Sequence, residues 1–140
     1  MSFDVENLSG GGWTALPSLA TARYGPGCAT GSYEGQAGIY VTGGWDGAAY
    51  LASVEFYLAG DQRWVGLGQM RTARYWHSLS LVSGVPYAAG GYPYTTEVER
   101  LPAGGSGAWE AAGSLAEWRY LHTAVTLPAG LVACEEDSGR

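Results

Sequence analysis

Apolar and polar side chains in this chain alternate in short runs and do not recur every three or four residues. Val54-Glu55-Phe56-Tyr57 and His77-Ser78-Leu79-Ser80-Leu81 place apolar groups on one side of an extended backbone and polar groups on the other. Glycine, proline or short polar clusters bound each run, and no stretch carries the 3.6-residue period of a substantial helix. The pattern predicts an all-β chain of antiparallel strands about four to six residues long, with no helix beyond a turn. Strands are expected over 23–31 (a poor one, interrupted by Gly25-Pro26-Gly27), 38–42, 53–57 and 64–67. A second set is expected over 77–81, through Tyr87 into Gly90-Gly91, over 97–99 and from Trp109.

These two sets are copies of one another. Trp13, Leu16, Leu19 and Thr21-Ala22-Arg23-Tyr24 return 51 residues later as Trp64, Leu67, Met70 and Thr72-Ala73-Arg74-Tyr75. A further 45 residues on stand Trp109, Ala112, Leu115 and Trp118-Arg119-Tyr120. Tyr40-Val41-Thr42-Gly43-Gly44 answers Tyr87-Ala88-Ala89-Gly90-Gly91, and Val54-Glu55 answers Val98-Glu99. The first unit is longer in two places, around 31–36 and 45–50, and both insertions are expected to sit in turns, where frameworks tolerate them.

A period of 44 to 51 residues carrying this ordered set (Arg, Gly-Gly, Val-Glu-x-Tyr, Trp-x-x-Leu) resembles the kelch family of β-propellers. The Met70-Arg71-Thr72-Ala73-Arg74 linker makes it most like the kelch domains of Kelch-like substrate adaptors. The resemblance implies a kelch-type β-propeller fragment, about two complete four-stranded blades plus a half blade at each end. Residues 1–140 then form one partial propeller. Residues 3–22 are strands C and D of an incomplete blade, 23–73 and 74–118 are kelch repeats, and 119–133 begin a further repeat. Residues 134–140, where Glu135-Glu136 replaces the double glycine, are a divergent tail. Tyr57, Gly43, Gly44, Gly90 and Gly91 are expected to be structural repeat positions. Trp13, Trp64 and Trp109 are expected to pack between neighbouring blades against the strand C aromatic. Three blade-equivalents do not close a ring, so self-association through open blade edges is expected, two copies supplying six.

Composition narrows the partners. Thirteen Asp and Glu stand against seven Arg and no Lys, a net charge of −6, which argues against nucleic acid and anionic membranes. No apolar run approaches the ~20 residues needed to span a bilayer. The start, Met1-Ser2-Phe3-Asp4-Val5-Glu6, lacks the basic and apolar regions of a secretory signal. Cys28 and Cys134 form no paired motif, so a cytoplasmic location is expected.

The candidate chemistry is recognition. Arg23, Arg74 and Arg119 open successive repeats, and in Kelch-like adaptors arginines at this position often line a pocket for acidic peptide side chains. A guanidinium fork suits a carboxylate. The same arginines are equally placed to pair with Glu55 or Glu99 within the framework, and both readings stay open. Trp45 and Tyr50 in one repeat, and Tyr92 and Tyr94 in the next, follow the double glycine where no repeat core demands aromatics. They are expected to be partner contacts, with Trp76 and Trp118 either extending that surface or packing on adjacent loops. His77 and His122 recur in register but lack a third ligand, so no metal is expected, and no cofactor. The expected function is a non-enzymatic module binding a protein or peptide, acidic ones included. The resemblance extends this to substrate recognition in a cullin-3 ubiquitin ligase adaptor, although no BTB domain is present. The alternatives are a galactose-oxidase-like kelch enzyme and a truncated product without independent function.

Overall fold

The computed structural model describes residues 5–9, 11–102, 107–127 and 130–134. Residues 1–4 and the tail at 135–140, including Glu135-Glu136, lie outside them. Twelve strands and no helix are present among the described residues, and no helix is long and apolar enough to cross a membrane. One four-stranded antiparallel sheet takes the order β3 (Gly27–Tyr33), β4 (Gln36–Thr42), β5 (Val54–Leu58), β6 (Arg63–Leu67). The second repeats that order with β7 (Ser78–Val82), β8 (Val85–Ala89), β9 (Glu97–Arg100) and β10 (Glu110–Ser114). Two hairpins flank them: β1 (Glu6–Ser9) with β2 (Gly12–Ala15), and β11 (Thr123–Leu127) with β12 (Gly130–Cys134). Strand β7 lies alongside both β3 and β11, so the repeats follow one another side by side.

The core joins the two larger sheets. Tyr40, Val54, Phe56 and Leu58 of the first meet Leu79, Ala88, Leu101 and Trp109 of the second, with Met70 from the linker between them. Strand β5 is buried at every position, not on one face as its alternation predicts. Glu55 explains the difference, because its carboxylate is wholly employed inside the protein. Oε2 accepts the Ala20 N–H at 2.9 Å and Oε1 accepts the Arg23 guanidinium at 2.6 Å.

The expected placement of the first insertion in a turn is corrected. The β3–β4 and β7–β8 connections each close through two residues of positive φ, Glu34-Gly35 and Ser83-Gly84, which suits the right-handed twist of the strands they join. The extra residues instead lengthen β3 and β4 to seven residues each, against five in β7 and β8. The second insertion is a true loop, in which Asp46 Oδ1 accepts the N–H groups of Ala48 and Ala49, both at 2.8 Å. The three repeat tryptophans also differ. Trp109 is buried in the core, and Trp64 is half-buried on Tyr57 with its indole N–H donated to Pro17 O at 2.6 Å. Trp13 is 68% exposed, which corrects the expectation that it is packed. It lies on a two-stranded sheet without the covering layer that Trp109 receives.

Arg23 and Arg74 sit at the joints between repeats, 1% and 0% exposed. Arg23 makes five hydrogen bonds: to Thr21 O, Gly43 O, Ser53 O, Ser53 Oγ and Glu55 Oε1. That uses every N–H a guanidinium has. Arg74 repeats the set on Thr72 O, Gly90 O, Glu97 O and Glu99 Oε1. Its carbonyl meanwhile accepts the Gly44 N–H of the preceding sheet at 2.8 Å, as Arg119 O accepts Gly91 N–H at 2.8 Å. The double glycines make this approach feasible. A Cβ on Gly43 would stand 2.3 Å from Arg74 O, and one on Gly90 2.6 Å from Arg119 O, at φ of +58° and +63°.

Breaking such a buried pair from one side leaves an unpaired charge in the interior. Arg74→Ala is expected to destabilise the fold by about 3–5 kcal/mol, while Arg100→Ala, whose Glu110 partner is solvent-exposed, costs about 0–1 kcal/mol. Urea denaturation of the two variants checks this, and equal losses would remove the distinction.

Candidate functional site

The loops beyond the double glycines and the segments after the repeat arginines meet on one side of the protein. Two small backbone ladders fix them there. Tyr24 and Trp45 exchange N–H···O bonds of 2.8 and 2.9 Å, and Tyr75 and Tyr92 exchange bonds of 3.2 and 2.9 Å. Trp45 is bridged onward to Tyr50.

On these ladders stands a continuous field of aromatic rings. Tyr50 stacks on Tyr75 with centroids 5.4 Å apart, and Tyr75 stacks on Trp76 at 4.3 Å. Trp76 continues to Tyr120 at 5.9 Å, and Tyr120 to Trp118 at 6.1 Å with only 5° between the planes. Tyr92 is the hub, meeting Tyr50, Tyr75, Tyr94 and Tyr120 edge to face. Tyr94 reaches Trp118 at 4.8 Å, and Tyr24 reaches Trp76 at 5.6 Å. Edge-to-face and offset stacks are the favoured arrangements of aromatic quadrupoles and add ~0.5–1.5 kcal/mol a pair beyond burial. Even so, Tyr24, Trp45, Tyr50, Tyr94, Trp118 and Tyr120 remain substantially exposed.

Strain accompanies the field. The residue after each repeat Arg-Tyr has positive φ: Gly25 at +61°, Trp76 at +54° and Leu121 at +54°. For a bulky side chain this conformation is costly and persists only where its surroundings enforce it. Trp76 N–H donates to Gly25 O at 2.8 Å, and Leu121 N–H to Trp76 O at 2.9 Å, so each repeat holds the next in the same pose. At position 25 glycine also leaves room for the next repeat's ring, since a Cβ there would lie 2.5 Å from Trp76 Cδ1.

The sequence candidates separate. Trp45, Tyr50, Tyr92 and Tyr94 all belong to this face, and Trp76 and Trp118 extend it. Arg23 and Arg74 do not belong to it. The expectation that they meet a partner's carboxylate is corrected, because their guanidinium groups are buried and committed to internal acceptors. Arg119 is half-buried beside His122. Tyr24, Tyr75 and Tyr120 also belong to the face, and their register directly after the arginines is the sequence signal that points to them.

The two histidines serve the framework. His77 Nε2 lies 2.7 Å from Thr42 Oγ1, and His122 Nε2 lies 3.0 Å from Ser78 Oγ. Thr42 pairs across its sheet with Gly27, and Ser78 pairs with Ala89. Each histidine thus finds a hydroxyl from one or the other member of the equivalent residue pair in the sheet before its own repeat. Among the described residues no group of three His, Cys, Asp or Glu side chains is arranged to hold a metal, and Cys28 is a free thiol. No protein-family model matches the chain, and the search of curated proteins returns no match either.

Burial first, then the charge of Arg74 and the neighbouring His122, push the His77 pKa from 6.5 down to about 3. Unfolded, the imidazole takes up a proton near pH 6.5; folded, it stays neutral down to about 3. Between those values the unfolded chain binds more protons, so stability is complete above the unfolded pKa and falls as pH drops. The expected slope is up to about 1.4 kcal/mol per pH unit from this group. His77→Asn is expected to lower stability at neutral pH and flatten that slope. Chemical denaturation at a series of pH values checks it, and an unchanged slope would contradict the assignment.

Proposed function

We propose that this chain is part of a kelch-type β-propeller, each four-stranded sheet one blade, and that it acts as a non-enzymatic module binding a protein or peptide through its aromatic face. The observation that carries the functional reading is the contiguous field of tyrosine and tryptophan rings, built across successive repeats and left open to solvent. Protein surfaces rarely expose apolar area so continuous unless something binds there, and Tyr and Trp supply rigid, amphipathic anchors at interfaces. The propeller reading is supported by the identical strand order of the two sheets and by the Arg–Glu joint recurring in register. A loop face made by repeat scaffolding is where such folds carry function.

Binding through this face requires its outermost rings. Tyr94 and Trp118 are 57% and 52% exposed, so truncating them removes contact area at little cost to the core. Peptides selected from a displayed random library on the wild-type protein are expected to bind Tyr94→Ala and Trp118→Ala about tenfold to a hundredfold more weakly. Melting temperatures of the variants should stay near wild type. Selected peptides that bind both variants at wild-type affinity would remove the face from the function.

A further inference from the structure

We propose that the aromatic face takes a proline-rich peptide in the extended polyproline II conformation, an inference that rests on its reading as a peptide-binding surface. Six of the backbone acceptors that border the face already serve the protein's own N–H groups. The carbonyls of Tyr24, Trp45, Tyr75 and Tyr92 close the two ladders, while those of Gly25 and Trp76 accept the N–H of Trp76 and Leu121. The exposed rings add phenol hydroxyls and indole N–H groups, all of which can donate. A proline-rich strand is the complementary ligand. Each proline has a carbonyl and no N–H, and a polyproline II backbone makes no internal hydrogen bonds, so its carbonyls project outward unpaired.

Shape and charge agree with this chemistry. Trp76, Tyr120 and Trp118 form a row with centroid steps of 5.9 and 6.1 Å at small interplanar angles. Polyproline II has three residues per turn, so its pyrrolidine rings form three apolar ridges, any one of which can lie against exposed aromatic rings. The helix is stiff before binding, so little conformational entropy is lost in docking it on aromatic ridges. An acidic peptide finds less here, because Arg23 and Arg74 are turned inward onto Glu55 and Glu99.

The probe is a decaproline peptide, titrated by calorimetry against the full chain beside a Gly-Ser peptide and a poly-glutamate peptide of equal length. Decaproline is expected to bind at least tenfold more tightly than either. Trp118→Ala is expected to weaken it tenfold or more, and Trp13→Ala, an exposed tryptophan elsewhere, is expected to leave it unchanged. Decaproline affinity no better than the Gly-Ser control would overturn the inference. In that event the displayed-library selection separates the two claims: enriched peptides without proline that still require Trp118 overturn the proline-rich ligand and leave peptide binding standing. A selection that enriches nothing overturns both. A cello-oligosaccharide that binds through Trp118 while decaproline stays inert would assign the face to carbohydrate instead.

Discussion

The structure turns on the buried guanidinium–carboxylate joint at the start of each repeat. Burying two charges costs several kcal/mol per ion unless each is paired and hydrogen-bonded throughout. Here the requirement is met by a dense set of backbone partners, and meeting it fixes the chain. Glu99 accepts the N–H groups of Arg71 at 2.5 Å and Thr72 at 3.0 Å, which pins the linker leaving β6. Arg74 ties that linker to Gly90 O and Glu97 O in its own sheet, while its carbonyl holds Gly44 of the sheet before. One residue therefore sets the path of the chain within a repeat and the spacing between repeats. The Glu55–Arg23 joint does the same one repeat earlier, through Ala20 N–H, Gly43 O and Ser53 O.

The aromatic face is a consequence of that joint. Tyr75 and Trp76 follow Arg74 directly, so the side chain locked into the interior determines where the next two rings emerge. Tyr24 after Arg23 emerges in the same way, and Tyr120 holds the equivalent register after Arg119. The ladder bonds from Tyr24 to Trp45 and from Tyr75 to Tyr92 then bring the post-glycine loops to the same place. Framework and site are thus successive residues of one segment, with charge turned inward and rings turned outward. Trp76 at φ +54° shows the tension between the two. Its backbone obeys the hydrogen bonds from repeat to repeat, and the Gly25 position vacates space for its ring.

Much of the fold was legible because its signals are local. Alternation located β5 and β7, glycine pairs marked where β4 and β8 end, and the 51- and 45-residue offsets matched the strands of one sheet to those of the next. Two features were not local. The first insertion looked like a longer loop, since spacing alone cannot distinguish a larger turn from a hairpin extended on both sides. A two-residue turn with positive φ at both positions lets the strands grow instead. Strand β5 read as half-exposed because Glu55 counts as polar, and only its three-dimensional partners explain its burial.

The aromatic face was legible in the sequence while the arginines were misleading, for one reason. An arginine in register with a glutamate 32 or 25 residues further along is compatible with an external carboxylate and with an internal one, and sequence spacing does not choose between them. Burial does, because a guanidinium enclosed by internal oxygens lies out of a visitor's reach. Once the arginines are assigned to the interior, the surface has to be characterised by what remains. That remainder is a field of rings bordered by backbone carbonyls, several of which already serve the protein's own N–H groups. A ligand docked there would be selected by ring shape and by hydroxyl and indole donors, which would favour one with apolar rings of its own and carbonyls to offer.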